Sequence, residues 1–212
     1  MTPVPSRDRA RARALVVLTK APVRGLVKTR LAATIGPDAA LAVHERLVAH
    51  TLTEVVRACE HLAPIDAVVR VTPDEAAASA RAWVPPAIRV APQGEGDLGA
   101  RLERAMEAAF AAGASRVVLI GTDCPGLSSE HLALAFDALE RSDVVLGPAK
   151  DGGYWLIGTR VRAPTLFADM PWSTPDVLAL TRRRAREAGW SLTHLDTLAD
   201  VDTPADLETL GG

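Results

Sequence analysis

The chain has 212 residues, 24 of them basic and 26 acidic, and is 48% hydrophobic. That is enough apolar material for one large core and, most simply, one domain. A formal net charge of -2 argues against the basic surface that nucleic acid requires, and no apolar run approaches the ~20 residues that cross a bilayer. Residues 1–13 are rich in Arg and Pro but lack the apolar stretch of a secretory signal. They are expected to form a disordered lead-in to a single domain over 14–212. Cys59 and Cys124 are the two cysteines, which fits reduced thiols in the cytoplasm.

Apolar runs of strand length occur at 14–18, 65–71, 88–91, 116–120, 143–146, 154–157 and 191–195. Helical patterns lie between them. The first begins after Gly36-Pro37, with Pro in its first turn, and sets Leu41, Val48, Leu52, Val55 and Cys59 on one face. Others fit 74–83, 97–112, 128–140 and 174–188, with a short one after Pro204. This alternation predicts an α/β fold: a mainly parallel sheet covered by helices on both faces. Between Gly147 and Pro175 the rhythm fails, and an irregular insertion over the ligand edge of the sheet is expected.

Chemistry concentrates first in the loop after strand 14–18, which carries Lys20, Arg24, Gly25, Lys28 and Arg30. Glycine lets backbone N–H groups approach a ligand, and the cations suit phosphate oxygens. Ligands of open α/β sheets gather at the carboxyl ends of strands. A solvated loop is the plain alternative. It is not a Walker A loop, because Val27 rather than Gly precedes Lys28-Thr29.

Asp123 ends the run 116–120 through Gly121-Thr122, and Asp200, Asp202 and Asp206 cluster near the end of the chain. Asp123 with Asp202 would suit Mg²⁺ or Mn²⁺, which takes one or two protein oxygens and completes its octahedron with phosphates and water. Asp202 is equally readable as a helix cap, Asp206 as a surface residue, and Cys124 as a small packed residue in a tight turn. The five His residues, at 44, 50, 61, 131 and 194, show no metal-ligand spacing and read as helix-surface or loop positions. Gln93, Gly96 and Asp97 precede a helix and could meet a nucleotide, although Asp97 as N-cap explains the same letters. In Asp151-Gly152-Gly153-Tyr154-Trp155 a tight reversal is flanked by aromatic residues. Gly152, Gly153, Tyr154 and Trp172 are the candidate acceptor wall, with ordinary core filling as the alternative.

These segments together resemble a family. The ordered motifs K-A-P-V-R-G-L-V-K-T-R-L, Q-G-E-G-D-L-G-A-R-L, G-T-D-C-P-G-L, G-P-A-K-D-G-G-Y-W-L-I-G, M-P-W-S-T and D-V-D-T-P-A-D-L are similar to those of the bacterial DUF2064 group. These are glycosyltransferase-like proteins of the nucleotide-diphospho-sugar transferase superfamily. The chain is more distantly similar to 2-phospholactate and molybdenum-cofactor guanylyltransferases. The resemblance implies a three-layer GT-A-type fold with a nucleotide at the first βα loop. It also implies that Asp123 stands where related enzymes carry a D-x-D metal site, with Asp202 as second ligand by analogy.

The expected function is metal-dependent glycosyl transfer from a nucleotide-sugar to a small acceptor. Lys20, Gly25, Lys28 and Arg30 would hold phosphates, Lys28 and Asp123 would take part in catalysis, and Asp151 would act as general base. Nucleotidylyl transfer, from an NTP to a phosphorylated small molecule with release of pyrophosphate, is the alternative. A non-catalytic nucleotide sensor is the third reading. The sequence does not fix the oligomeric state.

Overall fold

The computed structural model describes residues 12–62 and 64–208; most of the lead-in at 1–13 lies outside them. Among the described residues seven strands form one sheet: β1 (Arg13–Lys20), β2 (Ile65–Thr72), β3 (Arg89–Pro92), β4 (Arg116–Ile120), β5 (Val144–Pro148), β6 (Tyr154–Thr159) and β7 (Leu192–His194). Their spatial order is β3-β2-β1-β4-β6-β5-β7. β6 runs antiparallel to both β4 and β5, and the other pairings are parallel. The helices are α1 (Thr29–Ile35), α2 (Pro37–His61), α3 (Ala77–Ala80), α4 (Leu98–Ala111), α5 (Ser129–Ala138), α6 (Val177–Glu187) and α7 (Pro204–Glu208).

The two-residue period of β1 explains the layers. Leu15 and Val17 face one core with Val48, Leu52 and Val55 of α2 and Leu132 and Phe136 of α5. Ala14, Val16 and Leu18 face a second core with Leu102 and Met106 of α4, Leu166 and Phe167 at the 3₁₀ turn after β6, and Ala185 of α6. A strand apolar on both faces is stable only between two such layers. Each fully buried Leu, Val or Phe contributes about 1.5–3 kcal/mol.

The expected strands are all present, and the sheet is mainly parallel with helices on both faces. The structure departs from the sequence reading in three places. α1 was not foreseen, because it is folded into the basic loop and buries only Leu31. The stretch 74–83 is not one helix but a 3₁₀ turn, Asp74–Ala76, followed by the single turn of α3. β6, the short strand expected within the irregular 147–175 stretch, belongs to the sheet itself, inserted antiparallel between β4 and β5.

Chain order also places the site. β1 continues into β2 and β3 on one side, whereas β4 lies on β1's other side. The loops after β1 and β4 therefore diverge at a switch in strand order, and a crevice opens there at the carboxyl edge.

Candidate functional site

A cleft of about 510 Å³ occupies this crevice. It is lined from the first loop by Lys20, Lys28 and Arg30, from β4's end by Thr122 and Asp123, and from later segments by Asp151, Gly153, Asp200 and Asp202. The cationic loop and the mid-chain carboxylate thus share one wall.

Their contact is direct. The Lys28 side chain is only 4% exposed, and Nζ donates to Asp123 Oδ1, to the Val201 carbonyl at 2.6 Å and to Asp202 Oδ1 at 2.9 Å. Burial lowers the lysine's pKa, but the Asp123 and Asp202 charges and hydrogen bonds outweigh it and hold the ammonium above its ordinary value. An ammonium has three donors, and all three are used here, so none remains for a phosphate in this arrangement. Lys28 also has left-handed backbone angles, φ 46° and ψ 46°. For a residue with a Cβ this costs of order 1–3 kcal/mol and persists only where surroundings enforce it. The three acceptors around Nζ supply that enforcement.

The C-terminal segment builds the other half of the clasp. Lys150 N donates to Leu198 O at 3.1 Å, Leu198 N to Pro148 O at 3.1 Å, and Val201 N to Asp123 O at 2.9 Å. Val201 is fully buried. Its two flanking carboxylates, Asp200 and Asp202, both line the cleft, as the alternation of an extended segment requires. Asp206 is not merely a surface residue. Its Oδ2 accepts from Asp202 N at 3.0 Å, Thr203 N at 2.7 Å and Thr203 Oγ1 at 2.8 Å. This is the N3 arm of a capping box, and it fixes the turn that presents Asp202. Asp202 itself does not cap α7.

Asp200 is the carboxylate that sequence reading passed over. Burial, then the nearby Asp151, with Asp202 and Asp123 adding to it, push its pKa up to about 6. The D-x-D spacing of 200 and 202 was the signal available. His44, expected at the surface, is buried at 4% exposure, lines the cleft and bonds the Lys20 carbonyl through Nε2 at 3.0 Å. Burial lowers its pKa, so the ring is neutral near pH 7.

Other expected residues take local duties. Arg24 forms a two-pronged pair with Asp38 at 2.5 and 3.0 Å and, like Gly25, does not line the cleft. Gln93 lines it, but its Nε2 donates to Thr19 O at 2.8 Å and Arg70 O at 3.0 Å, tying β1 to β2. Asp97 accepts from Ala100 N at 2.9 Å as N-cap of α4, and neither Asp97 nor Gly96 reaches the cleft. Asp151 is exposed and accepts from Gly153 N at 2.8 Å. Gly152 lies outside the cleft wall at φ 91°, where an added Cβ would sit 2.6 Å from Pro175 Cα. Tyr154 and Trp172 line the cleft with rings edge to face at 6.4 Å, although the Tyr154 hydroxyl and Trp172 Nε1 are themselves buried. Cys124 is buried, and desolvation pushes its thiol far up, which makes it an inert packed residue.

A divalent cation can be tested against this donor set. Asp123 and Asp202 are 48% and 43% exposed, and Lys28 engages one oxygen of each. The outer oxygens suit a hard ion that completes its shell with phosphate and water. Among the described residues no group of three or more His, Cys, Asp or Glu side chains converges to hold a metal by protein alone. The residues therefore fit an ion shared with a substrate.

Comparison with known proteins bears on the family and the fold. The family model for DUF2064, described as an uncharacterized protein conserved in bacteria, matches residues 55–174. The phosphoenolpyruvate guanylyltransferase of Sphaerobacter thermophilus is 29% identical over 209 residues, which cover 93% of this chain and 94% of that protein. A crystal structure from Desulfovibrio desulfuricans G20, assigned to the nucleotide-diphospho-sugar transferases, is 34% identical and covers 93% of this chain and 85% of its own, with a TM-score of 0.86. The 4-diphosphocytidyl-2C-methyl-D-erythritol synthase of Anaerococcus prevotii shares the fold at 10% identity and a TM-score of 0.63, covering 94% of this chain and 96% of its own.

Proposed function

Because the chain belongs to the DUF2064 family and is a transferase on the nucleotide-diphospho-sugar transferase fold, we propose that it is a nucleotidylyltransferase. Its acceptor is a small phosphorylated molecule. The observation that carries this reading is the Lys28 clasp, a buried cation between Asp123 and Asp202 at the mouth of a cleft also lined by Lys20 and Arg30. Full-length similarity to a guanylyltransferase supports it further. This reverses the order expected from sequence. Glycosyl transfer is kept as a second reading, because the aromatic rings of Tyr154 and Trp172 on the cleft wall suit a sugar face.

The reaction is a single displacement. An oxygen of the acceptor phosphate attacks the α-phosphorus of the NTP, a new P–O bond forms, and the bond to the β-phosphate breaks as pyrophosphate leaves. The nucleophile is already an anion and needs no base, so the base role of Asp151 belongs to the glycosyl reading alone. Lys20 and Arg30 face the phosphates from the first loop. Lys28 acts from beneath: it neutralises the carboxylate pair, which would otherwise repel a polyphosphate. Mg²⁺ or Mn²⁺ on the outer oxygens of Asp123 and Asp202 would supply Lewis acidity toward the departing charge. Neutral His44 braces the backbone at Lys20.

The test is a paired panel: NTPs with phosphorylated acceptors, and nucleotide-sugars with neutral acceptors, each with Mg²⁺ or Mn²⁺. Pyrophosphate formed only when acceptor is present supports nucleotidylyl transfer. Release of NDP from a nucleotide-sugar instead would replace it with the glycosyl reading. Asp123→Ala is expected to abolish metal-dependent nucleotide binding, and unchanged affinity would remove Asp123 from the site.

A further inference from the structure

Arg101 stands near the start of α4 and lines the cleft. Among the described residues no carboxylate pairs with it and no hydrogen bond engages its side chain, whose Nε is buried without a partner. Arg104, nearly one turn further on, is the contrast. Its guanidinium donates to Gln93 O at 2.7 Å and Glu95 O at 2.8 Å and holds the loop before α4. A guanidinium presents a fixed fork of donors and keeps its charge at any ordinary pH. Leaving one unengaged in a partly buried wall is costly unless a ligand completes it.

On α4 the cleft is lined by Leu98, Arg101 and Leu102, and Trp172, edge to face with Tyr154, lies against Gly99 of the same helix. The core residues among these pack in the layer of α4 and α6, whereas the residue after Asp123, Cys124, packs in the layer of α2 and α5. The cleft therefore has two banks. One carries the clasp, with Asp123 and Asp202 on Lys28 and Asp200 on the other flank of Val201. The other carries Arg101, a cation that no acid pairs with among the described residues.

We propose that Arg101 binds a second anionic group of the acceptor, a carboxylate, so that the acceptor class is a phosphorylated carboxylic acid. This rests on the nucleotidylyl-transfer reading for the reacting phosphate, which lies over the clasp. The acceptor spans the cleft, with its phosphate on the carboxylate and metal bank and its carboxylate on the α4 bank. A two-pronged guanidinium–carboxylate contact fixes its orientation. Arg101 contacts substrate without moving a proton, and its function is selection.

A matched pair isolates the carboxylate: 3-phosphoglycerate has it, and glycerol 3-phosphate has a hydroxymethyl group in its place. Binding is measured by calorimetry on the full chain with Mg²⁺ and a non-hydrolysable NTP analogue, and turnover by pyrophosphate release. Wild type is expected to bind 3-phosphoglycerate about tenfold or more tighter than glycerol 3-phosphate. Arg101→Gln should bring the two to parity, with affinity for the NTP analogue and for glycerol 3-phosphate unchanged, and Arg101→Lys should fall between. No preference in wild type would overturn the inference, as would an Arg101→Gln variant that weakens both acceptors equally or loses the nucleotide. A preference in binding that Arg101→Gln removes, with no turnover of any acceptor, supports the anion site while refuting nucleotidylyl transfer. Turnover of both acceptors at equal efficiency does the reverse.

Discussion

Replacing Lys28 with Met keeps a flexible chain of similar length and removes the ammonium. Three acceptors then lose their donor: one oxygen each of Asp123 and Asp202, and the Val201 carbonyl. Breaking a fully buried ion pair by removing one partner costs about 3–5 kcal/mol. Here the carboxylates are 48% and 43% exposed, so water recovers part of that, and roughly 1–3 kcal/mol is expected. Relief of the left-handed backbone strain does not follow, because Met carries a Cβ as well. In a chain of this length each kcal/mol lowers Tm by about 2–4 °C, which places the variant roughly 2–12 °C below wild type without metal. The two carboxylates left without a counter-charge should then attract a divalent ion more strongly. Calorimetric melts with and without Mg²⁺ or Mn²⁺ should show a larger metal-induced rise in Lys28→Met than in wild type. A variant melting at the wild-type temperature in chelator, with the same metal response, would refute the account of the clasp.

His44 gives a pH prediction. Its folded pKa is lowered, by burial first, while the unfolded chain titrates near about 6.5. Below that pH the unfolded state takes up the proton first, so stability present at pH 7 declines as pH falls; urea midpoints at successive pH values should decline less steeply for His44→Gln, and parallel curves would count against it. Asp206→Ala should cost about 1–2 kcal/mol by loss of the capping box, read from urea midpoints, with Asp206→Asn retaining part of it. Gly152→Ala meets both a positive φ of 91° and the Pro175 backbone; a Tm loss of about 5 °C or more is expected, and an unchanged Tm would show that the 152–175 contact yields freely.

The fold was legible where one physical cause dominated. Runs such as Val117–Ile120 are apolar on consecutive positions, which only a doubly covered strand tolerates. The direction of β6 was not legible, because antiparallel insertion depends on which neighbours accept its edge groups, and no local pattern encodes that. α1 escaped notice because its single buried residue, Leu31, gives no periodicity. In the site, Lys28 and Asp123 could be named because they end or follow strands at the carboxyl edge. Their mutual contact could not, since 95 residues separate them in sequence. Gln93 and Asp97 were drawn into backbone duties that compete for the same donors and acceptors a ligand would use. His44 and Asp200 were overlooked because burial, which sets their behaviour, is a property of the tertiary structure.

The strand-like segment at 198–202 has a consequence for the order in which the molecule matures. The seven strands of the sheet are drawn from Arg13 to His194, so the scaffold is encoded before Leu198 is reached. The grip on the Lys28 side chain, by contrast, draws on Val201 and Asp202. A chain folding from its beginning would assemble its architecture first and close the candidate site last, when the tail docks beside β5. Assembly of the scaffold and closure of the clasp would then be separate events.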